Sequence, residues 1–364
     1  MANWTPNNTQ AANSGSLQLW IDAENTNGYV AESSTTTDDV YGTANNISQI
    51  NNLGTTGFNL TRAGTGYPTL RTGSLSGKNG FKFGNLASSW SNTVMESSDA
   101  SITTIRNNDD RLVFSVMSNI FVDTRGATFK GVWGFGNFQS RNGFSVFVDT
   151  NSNRDSPVLS FTFSDHSAAS TDLISDPPNK VIITAQNSSS ISNNQTLFLN
   201  TEQIISTGVS LLTNVSAAES GFKLGSSNYS PDASDYVLHE LLVYSVADSG
   251  TGADGFRNTV EGYLAHKWAI TDLLPTDHPY KSSAPQIAGG GDAGNTVSDK
   301  GSKFNINPEG APNGPIISRY NAVNTNYNKS NGTKQIPFTL QQPGPFSLKR
   351  RNVAYKLVSG DTNE

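Results

Sequence analysis

The stretch from Tyr236 to Tyr280, YVLHELLVYSVADSGTGADGFRNTVEGYLAHKWAITDLLPTDHPY, constrains the fold more than any other part of the chain. Its first ten residues are rich in Val, Leu and Tyr and have the length of a strand. Both alternating faces are mostly apolar, which predicts a strand buried on both sides. A loop rich in Gly and Asp follows. Then Phe256, Val260, Tyr263, Leu264 and Trp268 recur at helical spacing, with Arg257, Glu261 and Lys267 off the apolar stripe. Asp254 is placed to cap this helix, and Pro275 to stop any continuation. One short helix, late in a chain otherwise written in strands, predicts a sandwich closed by a helix.

The earlier chain supplies the strands. Leu17–Ile21 opens the series, Phe58–Leu60 and Gly80–Phe83 are short candidates, and residues 22–56 read as a long polar surface loop. Arg111–Ser118, Gly131–Asn137, Gly143–Asp149, Val158–Phe163, Lys180–Ala185 and Thr196–Asn200 follow at the spacing of an antiparallel sandwich. The runs VIITA and TLFLN, around a Ser/Asn loop, read as a hairpin.

Two segments carry a resemblance. LQLWIDA near the start and VEGYLAHKW followed by LP and DHPY near residue 280 resemble the first strand and closing helix of bacterial and phage laminin-G-like, concanavalin A-like jelly-roll domains. The likeness covers roughly residues 16–280. In that family the hairpin carries the phrase Y-V-N-G. The matching place here is Leu199-Asn200-Thr201, without the glycine. The resemblance implies an all-β jelly-roll of two antiparallel sheets with one late helix. It marks the scaffold and says little of a ligand.

The 364 residues are expected to divide into an N-terminal extension (1–15), the sandwich (16–284), a linker (285–303) and an anchoring arm or small β module (304–364). Only 35% of residues are hydrophobic and 15% charged, the balance of a β protein with long polar loops. With no cysteine, disulfides and thiolate metal sites are excluded. The opening MANWTPNNTQ lacks a basic segment followed by an apolar run, so a cytoplasmic origin is expected, without membrane insertion. Charge is uneven: residues 1–281 hold 15 Lys+Arg against 25 Asp+Glu, and residues 282–364 hold 9 against 5. An acidic body thus carries a mildly basic tail, its cations clustered at Lys349, Arg350 and Arg351.

Catalytic signals are sparse. A glycoside hydrolase of this fold needs two carboxylates on a cleft strand. Within HELLVYS the one carboxylate is Glu240, read as a satisfied polar residue at a strand edge, and the chain is expected not to be an enzyme. His266 and His278 are assigned capping or packing roles, and His166 a loop position. Calcium is left open, with Asp149, Asp232 and Asp235 as candidate ligands, but turn-capping is the favoured role; no cofactor is assigned. Carbohydrate binding needs an aromatic platform with amide or carboxylate partners. Trp90 and the loop bearing Asn228, Tyr229 and Asp232 offer that chemistry, whereas Trp20, Trp133 and Trp268 lie in core patterns.

Together these features favour a structural protein of a tailed-phage virion: a capsid decoration, head fibre or tail-fibre component. Its tail would attach to capsid or other virion proteins, and its sandwich would hold host-surface polysaccharide. A homo-oligomer, perhaps a trimer, suits such a role, and no nucleic-acid partner is implied. The alternatives are a free bacterial lectin-like module and, behind it, a glycoside hydrolase.

Overall fold

The computed structural model describes residues 4–7, 16–38, 42–54, 56–84, 93–97, 110–121, 129–135, 144–149, 158–163, 167–172, 179–187, 195–207, 221–226, 235–246 and 253–286. Residues 2–286 make one compact unit. The expected linker and arm, beyond Gln286, lie outside the described residues, as do Lys349, Arg350 and Arg351.

The strands are β1 (Ser16–Asp22), β2 (Tyr29–Asp38), β3 (Gly42–Asn51), β4 (Asn59–Arg62), β5 (Thr69–Leu75), β6 (Lys78–Phe83), β7 (Met95–Glu96), β8 (Asp110–Phe121), β9 (Phe129–Phe135), β10 (Phe144–Asp149), β11 (Val158–Phe163), β12 (Ser167–Asp172), β13 (Lys180–Asn187), β14 (Gln195–Leu199), β15 (Glu202–Thr207), β16 (Lys223–Leu224) and β17 (Asp235–Val246). One helix, α1 (Ala253–Lys267), follows. All pairings are antiparallel. One sheet runs β15–β14–β13–β8–β17, and β17 then pairs with β6 along its first part and β1 along its second, with β5 beyond β6. The other runs β12–β11–β10–β9–β16–β7–β4–β3–β2. The expected all-β sandwich with a late helix is what the chain forms.

The alternating apolar residues explain the layers. Val113 and Met117 of β8, Ile183 and Ala185 of β13, and Leu238, Leu241 and Val243 of β17 meet Met95, Val132, Trp133, Val146 and Leu224 of the second sheet. Each large side chain so buried contributes about 1.5–3 kcal/mol. The opposite face of β17 is buried too, as its sequence predicts. Tyr244 meets Phe114 edge-on at 6.1 Å and Phe256 of α1 at 4.9 Å. Val260, Leu264 and Trp268 are buried beside it.

Several local readings change. Residues 29–38 and 42–51 are not a surface loop but the paired strands β2 and β3, whose Ser/Thr-rich distal half is largely exposed. Its polar composition hides the strands because one buried face normally marks them, and here most positions beyond Ile47 toward the tip have none. Asp254 lies in the first turn of α1 rather than at its cap, where it pairs with Arg257 at 3.0 Å. The helix ends well before Pro275. Ala269 adopts φ 55°, its N–H bonds to the His266 carbonyl and that of Ile270 to the Ala265 carbonyl, which is a Schellman termination. Arg257 and Glu261 are not on a solvated face: both are buried. Glu261 accepts from Thr184 Oγ1 of β13 at 2.7 Å, and the Arg257 guanidinium stacks 4.0 Å above the Phe198 ring.

The N-terminal segment is not merely extended. Trp4 is buried, meets Tyr263 edge-on at 5.5 Å and donates its backbone N–H to the Pro285 carbonyl; Tyr244 Oη donates to the Pro6 carbonyl.

The β14–β15 turn explains the missing glycine. Asn200 and Thr201 take φ 52° and 76°, the left-handed pair of a two-residue hairpin turn that favours Asn-Gly. A β-branched residue there is strained. Thr201→Gly is expected to stabilise the protein by about 1 kcal/mol, read as a higher urea midpoint at unchanged slope.

Gly262 has the opposite requirement. A Cβ there would fall 2.5 Å from Tyr280 Cβ, so the Tyr of DHPY rests directly on the Gly of VEGYLAHKW. Ala would gain about 1 kcal/mol of helix propensity. It would also push Tyr280 away and break the 2.8 Å bond from His266 Nε2 to the Tyr280 carbonyl. Crowding of this kind costs about 1–3 kcal/mol, so Gly262→Ala is expected to lower the urea midpoint.

Candidate functional site

The β-bulge in β17 builds a polar cluster between sheet and helix. Leu238 pairs with Met117 and Glu240 with Val116, so His239 is the extra residue. Two consecutive side chains, His239 and Glu240, therefore reach the same side and meet Trp268: the His239 ring centroid is 5.1 Å from that of Trp268, and Glu240 Oε1 accepts from Trp268 Nε1 at 2.8 Å. The expected strand-edge position of Glu240 is corrected. β17 is flanked by β8 and β1, and Glu240 is fully buried.

Glu240 accepts from four groups. Trp268 Nε1 and Lys267 Nζ, at 2.8 and 2.9 Å, meet Oε1; Trp20 Nε1 and Tyr263 Oη, at 2.8 and 3.3 Å, meet Oε2. Burial pushes its carboxyl above the usual range while Lys267 opposes the shift. Every partner is a donor, or best used as one, so the ionised form satisfies the site at neutral pH. Asp22 is the direct cross-strand partner of Glu240. Like charges so placed repel, and Lys267 resolves this by reaching Asp22 Oδ2 at 2.6 Å as well. Burial works against the Lys267 ammonium, yet the two carboxylates outweigh it and hold its pKa above the usual lysine value. Asp22 Oδ1 accepts from the Glu24 backbone N–H at 3.0 Å. The rings of Trp20, Tyr263 and Trp268 stand 5.2–6.0 Å from Lys267 Nζ. Sequence reading left Asp22 and Lys267 without roles. The available signal was that each lies within a segment bearing the family resemblance, LQLWIDA and VEGYLAHKW.

His239 is held neutral beside this cluster. Nδ1–H donates to the Asn79 carbonyl at 2.9 Å, which leaves Nε2 to accept from Ser118 Oγ at 2.8 Å. Burial, partly offset by the Asn79 bond, lowers its pKa to about 4.

A second polar group sits at one end of the sandwich. Lys82 of β6 pairs with Asp235 of β17 at 2.5 Å, both buried, and donates to the carbonyls of Phe83 and Gly84 at 3.1 Å each. Gly84 N–H donates to Thr93 Oγ1 at 2.7 Å. Gly225, at φ 81°, lies so close to the Thr93 carbonyl that a Cβ would fall 2.1 Å from its oxygen. Residues 83–84, 93, 225 and 235 thus converge, and from them depart the segments bearing Trp90 and Asn228, Tyr229 and Asp232. Those four residues lie outside the described ones, as do His166 and the side chain of Asp149. Asp235, the remaining calcium candidate, faces the Lys82 ammonium. His278 Nδ1 accepts from the Tyr280 N–H at 3.2 Å, within the turn it packs. Among the described residues no group of three or more His, Asp or Glu is arranged to hold a metal, and no helix is long and apolar enough to cross a membrane.

No family model matches the chain, and no curated protein does. Solved structures with a likeness include a GH54 α-L-arabinofuranosidase bound to a cyclic sulfate inhibitor (12% identity, TM-score 0.43, 63% of this chain and 51% of that one). The binding domain of botulinum neurotoxin serotype D also appears (11%, 0.39, 63% and 47%). So does the Trypanosoma rangeli sialidase (12%, 0.37, 63% and 30%). The chain spans about half or less of each. At such values the likeness assigns neither activity nor ligand to this chain. The expectation that the chain is not an enzyme is corrected to this extent: glycoside hydrolases stand among the structures with a likeness.

Proposed function

We propose that the sandwich is a carbohydrate-binding body of the concanavalin A-like, laminin-G-like kind, carried on a tailed-phage particle as a capsid decoration or fibre component. The observation that carries the sugar-binding part is the convergence at Lys82 and Asp235. The loop with Trp90 and the loop with Asn228, Tyr229 and Asp232, singled out separately from the sequence, depart from adjoining strand ends, where Tyr236 pairs with Phe83. A common root of this kind would let an aromatic platform and its polar partners come together, as sugar recognition requires. The particle role is supported by the charge contrast between acidic body and basic tail and by the resemblance of the two fold-marking segments.

A glycan array probed with folded full-length protein tests the first part. Host-surface polysaccharide is expected to be retained, and Trp90→Ala or Tyr229→Ala to lose it with the unfolding midpoint unchanged. No retained glycan would overturn the reading, and release of reducing ends would make the body a hydrolase. Weak single-site binding would be raised by copy number in an oligomer, a trimer being the expectation. For the second part, the protein should co-purify with particles at fixed stoichiometry. A chain ending at Ala284 should fold and fail to join them if residues 304–364, with Lys349, Arg350 and Arg351, are the anchor. Secretion as a free module would instead support the lectin reading.

A further inference from the structure

We propose that the triad of half-buried Lys267 with buried Asp22 and Glu240 is an autocatalytic cross-linking site, in which Lys267 Nζ condenses with Asp22 Cγ to give an isopeptide bond joining the last turn of the closing helix to the first strand. The inference is independent of what the body binds.

The components of such a reaction are in place. The nucleophile, Lys267 Nζ, lies 2.6 Å from Asp22 Oδ2, held between the helix end and the β1–β17 ladder. Fixed geometry of this kind replaces a bimolecular encounter with an intramolecular one. The other oxygen of the electrophile, Asp22 Oδ1, already accepts the Glu24 backbone N–H. That donor is aimed where negative charge would gather in a tetrahedral intermediate. Glu240 Oε1 lies 2.9 Å from the same Nζ, within reach to move its proton. Asp22 and Glu240 are almost completely removed from water, and three aromatic rings stand about the amine. Little water is therefore at hand to reverse the condensation.

The step balances without an oxidant or reductant. Lys267 passes one proton to Asp22 Oδ2, and the free amine attacks Cγ of the resulting acid, forming the N–C bond. Glu240 takes a second proton from the amine and delivers it to Oδ2. The Cγ–Oδ2 bond breaks and one water leaves. One hydrogen stays on the amide nitrogen, and Glu240 is again a carboxylate. With the ammonium gone, one buried carboxylate has also been consumed, so the cross-strand repulsion between Asp22 and Glu240 ends.

Intact-mass spectrometry of the full chain tests the idea. The folded protein is expected to weigh one water, about 18 Da, less than its sequence mass. Digestion should yield a branched peptide joining Asp22 to Lys267. Lys267→Arg keeps the positive charge but has no competent amine, and should show the full mass of its own sequence. Asp22→Asn should lose ammonia instead, about 17 Da. A folded native chain that keeps its full sequence mass after prolonged incubation at neutral pH, with both peptides recovered separately, overturns the proposal. So does a mass loss that persists in Lys267→Arg.

Discussion

Glu240→Gln is expected to destabilise the protein by about 3–5 kcal/mol, the scale for removing one member of a buried ion pair. The cause is specific to the donors around it. Glu240 accepts from two indole N–H groups, a phenol and the Lys267 ammonium. A glutamine offers one acceptor oxygen and an amide NH2 that must face one of those donors. A donor is then left unsatisfied against a fully buried side chain, and Lys267 keeps only Asp22. A change of this size is a large part of the 5–15 kcal/mol by which a typical domain is stable. Urea unfolding of the full chain, native against variant, gives the value. Replacing both partners, Glu240→Leu with Lys267→Met, should recover part of the loss, because no charge then remains on either of them. A variant within about 0.5 kcal/mol of native would show that the cluster does not pin the helix. The figure refers to the ion-paired arrangement, and a covalent link would enlarge it. The same experiment bears on catalysis: loss of activity in Glu240→Gln would report unfolding of the seam, since no surface of Glu240 is open to a substrate.

Stability should also fall by about 3 kcal/mol between pH 7 and pH 4 through His239 alone. Its pKa moves from 6.5 in the unfolded chain to about 4 in the fold. Between those values the unfolded chain holds a proton that the native one lacks, so stability rises with pH across the window. The contribution is fully present above 6.5 and is lost as pH falls toward 4, at about 1.4 kcal/mol per unit. The structural reason is that both ring nitrogens are already used: Nδ1 donates to Asn79 and Nε2 accepts from Ser118. Protonating Nε2 would force the Ser118 hydroxyl to turn and leave a charge with no solvent. Glu240 and Glu261, whose carboxyls are raised by burial, act in the opposite sense, because the native state then binds protons more readily than the unfolded one. The measurement is therefore the difference in pH dependence between native protein and His239→Gln, which lacks the His239 contribution and keeps that of the two carboxyls. Ring resonances of His239 that report an ordinary histidine titration near 6.5 would contradict the burial argument.

These two groups show where sequence reasoning reached and where it stopped. β17 and α1 were legible because hydrophobic periodicity is a local property: period 2 with both faces apolar, then period near 3.6. The same logic located β8, β9, β10, β11, β13 and β14 within a few residues. It failed for β2 and β3, whose distal residues have no buried face to write an alternating pattern. It failed for Trp4, whose partner Tyr263 is far along the chain. It placed Glu240 at an edge because a lone acid in an apolar strand is most simply put near water, and it set Arg257 and Glu261 off the apolar stripe without finding their buried partners.

The chain order of apolar and polar residues alone determined an antiparallel sandwich with one closing helix, because that pattern can bury its faces in few other ways. The fate of each buried charge was decided only by the tertiary structure. The bulge that turns His239 and Glu240 to one side depends on the register of β17 against β8. The meeting of Asp22, Glu240 and Lys267 depends on three segments distant in sequence arriving at one point. The convergence of the loop roots at Lys82 and Asp235 does as well. Register and convergence arise from the packing of whole layers, and no local window of sequence contains them.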